Sequence, residues 1–189
     1  MNREIFGTTK SGEKVEIITL SNEVAELKIM TRGATIVSFK PYGKDRIGGY
    51  DDIESYEADT GSYQGATVGR VANRIADAEF TMDGAIYMVT ANNNGNCLHG
   101  GDGFSFKLWK AEEATEDSVT MSYYSPDGEE GFPGGLDVKV KFTLVCATIV
   151  IEYEAIPDGK TPIALTNHSY FNLDGFGGLI DDHLATIYA

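Results

Sequence analysis

The sequence predicts an all-β protein, a large antiparallel β-sandwich or barrel, on three observations. Its apolar residues alternate mostly with a period of two and do not recur at three and four. It carries 22 glycines against 5 prolines, a composition suited to tight turns and positive-φ backbone. Hydrophobic residues make up 42% of the 189-residue chain, enough to bury a substantial core.

Taken in order, the first strands are expected over residues 15–20, over Ala25–Met30, where Ala25, Leu27 and Ile29 oppose Glu26 and Lys28, and over 34–39. The one helical candidate is a short segment at Ile53–Ala58. Residues 80–82 and 85–89 flank Asp83-Gly84, a pair that favours a two-residue type I′ turn and hence a hairpin. A further strand is expected over 119–124. Leu136, Val138, Val140, Phe142 and Leu144 point one way and Asp137, Lys139, Lys141 and Thr143 the other. After a Cys146-Ala147-Thr148 connection the pattern repeats, with Ile149, Ile151, Tyr153 and Ala155 opposing Glu152 and Glu154, so the two runs predict a second hairpin. Residues 163–167 complete the expected strands. No repeat, low-complexity tract or Pro/Ser-rich linker marks a boundary, which predicts one domain over residues 1–189.

The charge balance excludes several function classes. Fifteen Lys+Arg against 29 Asp+Glu give a net charge of −14, which repels nucleic-acid phosphates and anionic membrane surfaces. The opening Met1-Asn2-Arg3-Glu4-Ile5-Phe6 has no apolar leader region, and no stretch approaches the roughly 20 uncharged residues that cross a bilayer. A cytoplasmic location is the expectation. Cys97 and Cys146 suggest no disulfide framework and read as reduced thiols.

Three stretches break the alternation. Gly65 to Ile75 contains Arg70 and Arg74 with Asn73 beside the second; it is either a solvated turn with surface arginines or a donor set for an oxygen-rich ligand. Residues 92–101 place four asparagines and three glycines around His99, either a polar turn or a loop whose amides meet a sugar-like surface. Thr166-Asn167-His168-Ser169-Tyr170-Phe171-Asn172 delivers His168 at a strand end, either as a buried imidazole satisfied by carbonyls or as a general acid working near neutral pH. His99, His168 and His183 have no short metal-ligand spacing, so no metal is expected. There is no P-loop, no dinucleotide fingerprint and no GxSxG around Ser169. Trp109 reads as core.

In order and spacing, Gly69-Arg70-Val71-Ala72-Asn73-Arg74-Ile75, Asn96-Cys97-Leu98-His99-Gly100-Gly101, the Ser125 to Gly134 stretch SPDGEEGFPG and Thr166-Asn167-His168-Ser169-Tyr170-Phe171-Asn172-Leu173 resemble the aldose 1-epimerase (galactose mutarotase) family. The resemblance implies a twisted antiparallel sandwich with an open sugar cleft, no metal or organic cofactor, and a hexose such as galactose or glucose as substrate. In that family a carboxylate takes the C1 hydroxyl proton while a His protonates the ring oxygen. Carried over residue by residue, His168 is the implied acid, Asn73 and Arg74 contact sugar hydroxyls, His99 helps hold the substrate, and Ser169 and Tyr170 adjoin the acid. The family's base is a Glu in a more C-terminal part, and nothing after His168 matches it. Residues 184–189 read as an interrupted strand, so the sandwich is expected to be incomplete at its C-terminus. Two alternatives stay open: a sugar-binding module or inactive relative, and a hexose-6-phosphate epimerase relative, which would need more cationic residues than this balance offers. Oligomeric state is not set by any of these features.

Overall fold

The computed structural model describes residues 1–188. It begins with four consecutive strands, β1 (Asn2–Thr8), β2 (Lys14–Ser21), β3 (Ala25–Met30) and β4 (Thr35–Pro41), paired antiparallel in sequence order. Helix α1 (Ile53–Ala58) follows. A run of short strands comes next: β5 (Thr67–Val68), β6 (Arg74–Ile75), β7 (Glu79–Met82), β8 (Ala85–Met88) and β9 (Cys97–Leu98). The second four-stranded sheet is β10 (Lys110–Ala114), β11 (Ser118–Ser125), β12 (Leu136–Val145) and β13 (Thr148–Pro157), again in order, and β14 (Thr166–Asn167) pairs back onto β5.

The two sheets share one core. Ile18, Leu20, Leu27, Ile29 and Ile36 of the first pack in the same buried cluster as Val119, Met121, Val138, Val140 and Phe142 of the second, with Trp109 and Phe104 between them. This is the expected all-β sandwich: period-two alternation puts every second residue of β12 into the core and leaves Asp137, Lys139 and Lys141 outside. The Trp109 indole N–H donates to the Phe104 carbonyl at 3.0 Å, satisfying its only polar group inside the core.

β4 departs from the half-buried pattern, because Thr35 to Phe39 are buried on both faces. The cause is α1, whose Ile53 and Tyr56 cover Val15, Ile17, Met30 and Val37 on the outer side of the first sheet. Asp52 starts the helix by accepting the Ser55 N–H at 2.7 Å. The close approach of helix and sheet explains Gly7, where an added Cβ would lie 2.5 Å from the Ile53 side chain.

Several expectations need correction. β1 was not visible in the pattern because its residues are nearly all exposed or half-buried, and β10 is a charged five-residue edge with one buried side chain, Ala111. The strand expected over 163–167 shrinks to Thr166–Asn167, since Ala164 instead forms a parallel bridge with Val71. The hairpin connection after β12 is only Cys146-Ala147, because Thr148 already pairs with Val145. Residues 184–188 form no strand, with Leu184 and Tyr188 almost fully exposed; Ala189 lies outside the described residues. The Asp83-Gly84 turn matches its expectation, with φ of 50° and 79°.

Phe142 is fully buried at the sheet interface, whereas Val145 at the end of the same strand is half exposed. Phe142→Ala is therefore expected to lower unfolding free energy by about 3–5 kcal/mol, and Val145→Ala by less than about 1 kcal/mol. Urea unfolding followed by tryptophan fluorescence checks both, and equal losses would contradict the packing described.

Candidate active site

The segment Thr67–Ile75 carries the site. At its start β5 pairs with β14 in the register Val68↔Thr166 and Thr67↔Asn167, so the next pair outward is Ala66 and His168. The His168 N–H donates to the Ala66 carbonyl at 2.9 Å, and the Gly65 N–H donates to the His168 carbonyl at 3.0 Å. At the segment's end β6 pairs with β9, Arg74 opposite Leu98, which sets Asn73 opposite His99. Two registers thus deliver two histidines from distant sequence to one place. Their rings are 5.0 Å apart, centroid to centroid, and nearly perpendicular.

Asn73 and His99 exchange two hydrogen bonds. The His99 N–H donates to the Asn73 carbonyl, and the Asn73 N–H donates to His99 Nδ1, both at 3.0 Å. Both residues hold positive φ, 65° and 55°. Because Nδ1 accepts, the neutral imidazole carries its proton on Nε2, which makes that nitrogen a donor. Burial, then the neighbouring His168 and Arg74, hold the His99 pKa below its ordinary 6.5. His168 differs: its Nδ1 is buried without a hydrogen-bond partner among the described residues.

Arg74 and Asn73 are exposed at the rim. Arg74 donates through Nε to Asn93 Oδ1 at 3.2 Å and through Nη1 to Asn73 Oδ1 at 3.4 Å, so its fork is oriented yet open to solvent. The Tyr170 ring lies 5.2 Å from His168, and its hydroxyl donates to the Ser62 carbonyl. Ser169 is beside His168, but its hydroxyl and its N–H both donate to Asn167 Oδ1. His168, His99, Asn73, Arg74 and Tyr170 therefore converge, while Ser169 serves the turn that follows β14.

In the asparagine-rich loop, Asn92 and Asn96 follow the polar-turn alternative. Asn92 accepts the Leu98 N–H at 2.7 Å and donates to the Leu98 carbonyl at 2.9 Å, acting as a substitute strand partner. Asn96 accepts the Asp77 N–H and donates to the Asn93 carbonyl. These amides hold the loop that presents His99 and are not spread out for a ligand.

Arg70 is the other correction, since one of the two arginines is neither surface nor site. It is 2% exposed, and its guanidinium donates to Ser125 Oγ and carbonyl, to the Pro126 and Pro133 carbonyls, and to Thr161 Oγ1, all at 2.9–3.0 Å. Ser125 in turn donates to Glu129 at 2.5 Å, Tyr123 donates to the same carboxylate at 2.5 Å, and Lys107 is 3.6 Å from it. The Ser125–Gly134 stretch is thus the receptor for a buried cation. Burial pushes the Arg70 pKa down, against the pull of Glu129, Asp127 and Asp158.

Sequence reasoning missed Tyr63, a buried residue whose ring touches His99 at 4.7 Å and His168 at 5.9 Å. Its only signal was position, between Gly61 and Gly65 in an otherwise unpatterned loop. A cavity of about 570 Å³, lined by Lys28, Lys40, Asp45, Tyr50, Gln64 and Phe176, lies on the outer side of the first sheet and includes none of the site residues. Among the described residues no three His, Cys, Asp or Glu side chains are grouped to hold a metal ion, and no helix is long and apolar enough to cross a membrane.

Two outcomes follow from these contacts. Arg70→Met leaves the acceptors of Ser125, Pro126, Pro133 and Thr161 without their donor and is expected to cost about 3–5 kcal/mol, read by urea unfolding; a change under about 1 kcal/mol would show that the network holds little. An imidazole held below its unfolded pKa contributes stability that is fully present above about pH 6.5 and is lost as pH falls towards the folded value. The wild-type urea midpoint is therefore expected to fall more between pH 7 and pH 5 than that of His99→Gln, and parallel profiles would refute this.

The sequence matches the aldose 1-epimerase family over residues 16–189. It is 43% identical to the galactose mutarotase of Bos taurus, covering all of this chain and 57% of that protein. It is 40% identical to the aldose 1-epimerase of Haemophilus influenzae, covering 86% of this chain and 49% of that one. Among solved structures, an aldose epimerase homologue from C. elegans superposes with a TM-score of 0.79 at 32% identity, over 85% of this chain and 51% of that one. The galactose 1-epimerase of Lactobacillus acidophilus gives 0.82 at 25% identity, over 91% and 53%. The chain spans about half the length of the curated relatives it matches. With the family match over most of the chain, full-length similarity to a galactose mutarotase and the shared two-sheet fold, this chain belongs to the aldose 1-epimerase family.

Proposed function

We propose that this chain carries the acid side and the sugar clamp of an aldose 1-epimerase acting on a hexose such as galactose or glucose, in the cytosol. The observation that carries the reading is the His99–His168 pair, with Asn73 fixing the His99 tautomer. In the reaction a base removes the C1 hydroxyl proton, the C1–O5 bond breaks, and His168 gives a proton to O5. The open aldehyde rotates about C1–C2 and recloses on its other face as the protons return. Two protons move and no electrons are transferred, so the chemistry calls for no cofactor. His99, with Nε2–H facing outward from its Nδ1 contact, and the exposed Arg74 fork with Asn73 serve as donors and acceptors for sugar hydroxyls. Tyr170 offers an apolar wall beside the acid. The base is assigned to none of these residues; the family resemblance puts it on a Glu in a more C-terminal part of a family chain.

A second reading, sugar binding without turnover, is favoured by one observation. The five residues that converge, His168, His99, Asn73, Arg74 and Tyr170, include no carboxylate to take the C1 hydroxyl proton.

Calorimetry with galactose and polarimetry on freshly dissolved α-D-galactose separate the two. With the family's C-terminal part joined to the chain, turnover that falls about 10²–10⁴-fold in His168→Asn supports the epimerase. Galactose binding that weakens roughly tenfold in Arg74→Ala, with no rotation change above buffer, supports the binding module. Neither binding nor turnover would sink both.

A further inference from the structure

His168 makes no side-chain hydrogen bond among the described residues, and its Nδ1 is buried. Catalytic imidazoles are usually oriented by a bond to the second ring nitrogen. Here packing must do that, and the rings against it are Tyr63, His99 and Tyr170, at 5.9, 5.0 and 5.2 Å. Tyr170 is 44% exposed, whereas Tyr63 is 7% exposed and reaches both imidazoles.

Tyr63 is itself tightly held. Its ring lies 5.5 Å from Phe106, centroid to centroid, and its carbonyl accepts the Ala66 N–H at 3.0 Å. That short turn leads directly into Gly65 and Ala66, the two residues bonded to the His168 backbone. Towards His99 it acts twice. Ring meets ring at 4.7 Å and 68°, and the hydroxyl accepts from Asn92 Nδ2 at 3.2 Å, the amide that clamps Leu98, the residue before His99.

We propose that Tyr63 is a positioning residue that sets the mutual orientation of His99 and His168, through its ring on both imidazoles and through its hydroxyl and Asn92 on the backbone before His99. The inference rests on the reading of the two histidines as the site. It matters there because an acid displaced by about 1 Å loses the alignment that proton transfer needs, with losses on the order of a hundredfold. Tyr63 holds a positive φ of 53°, a backbone region that residues other than glycine seldom adopt.

The test is NMR of the full 189-residue chain with labelled His and Tyr, which needs neither sugar nor turnover. In the wild type, Tyr63 ring protons are expected to give NOEs to both His99 and His168, and the absence of either overturns the proposal. Tyr63→Leu should abolish the His99–His168 ring NOE and shift both imidazole signals while His183 stays unchanged; unchanged His99 and His168 signals would overturn it. Tyr63→Phe keeps the ring and should retain the imidazole–imidazole NOE, with a shift confined to the Leu98 and Asn92 amides. If Tyr63→Leu fails to fold, the wild-type and Tyr63→Phe spectra decide, and loss of the imidazole–imidazole NOE in Tyr63→Phe, or unmoved Leu98 and Asn92 amides, counts against the proposal. Galactose added to the wild-type sample addresses the sugar reading separately: no perturbation of His99 or His168 counts against that reading and leaves the ring geometry measured.

Discussion

The buried guanidinium of Arg70 is the constraint on which the site depends. A cation taken out of water must be surrounded by acceptors, and Arg70 finds them in three separate segments, at Ser125–Pro126, Pro133 and Thr161. Those segments belong to or adjoin the second sheet, whereas Arg70 lies midway along Thr67–Ile75, the segment that bears the site. Satisfying one charge therefore locks the spine of the site to the sandwich. Glu129 completes the arrangement at one remove, through Ser125, with Tyr123 and Lys107 also directed at its carboxylate.

From that anchored segment, backbone register alone brings the histidines together. His168 is one pair beyond β14, and His99 is one pair beyond β9. Strand pairs of two residues have little stability of their own, so side chains reinforce them. Asn92 brackets Leu98, Asn96 ties the loop to Asp77, and Asn167 accepts from Ser169 while donating to the Gly65 carbonyl. Much of the polar richness around the site is thus spent on holding backbone in unusual conformations. What is left facing outward is small: the His99 Nε2 side, the Arg74 fork and the Tyr170 ring.

Legibility in the sequence followed the length and burial of each element. β12 and β13 were plain because ten residues of alternation report a half-buried strand, and α1 falls on the one helical candidate, its buried face of Ile53 and Tyr56, three apart, seen only in the structure. β1 and β10 left no pattern because little of either is buried. β5, β6, β9 and β14 are too short for any period to show. The motifs that line up with the family marked His168, His99, Asn73 and Arg74. They gave Arg70 no role, since residue type and spacing do not say that its guanidinium is buried.

By itself the sequence determined the all-β class, most strands of the sandwich core and the family motifs, because alternation and residue type are local properties. Only the tertiary structure decided that Arg70 is buried as a bolt, which asparagines are consumed by the loop, and that the Tyr63 ring packs against both imidazoles. Those outcomes rest on hydrogen bonds and ring contacts between residues tens of positions apart, where a side chain's role is set by what surrounds it.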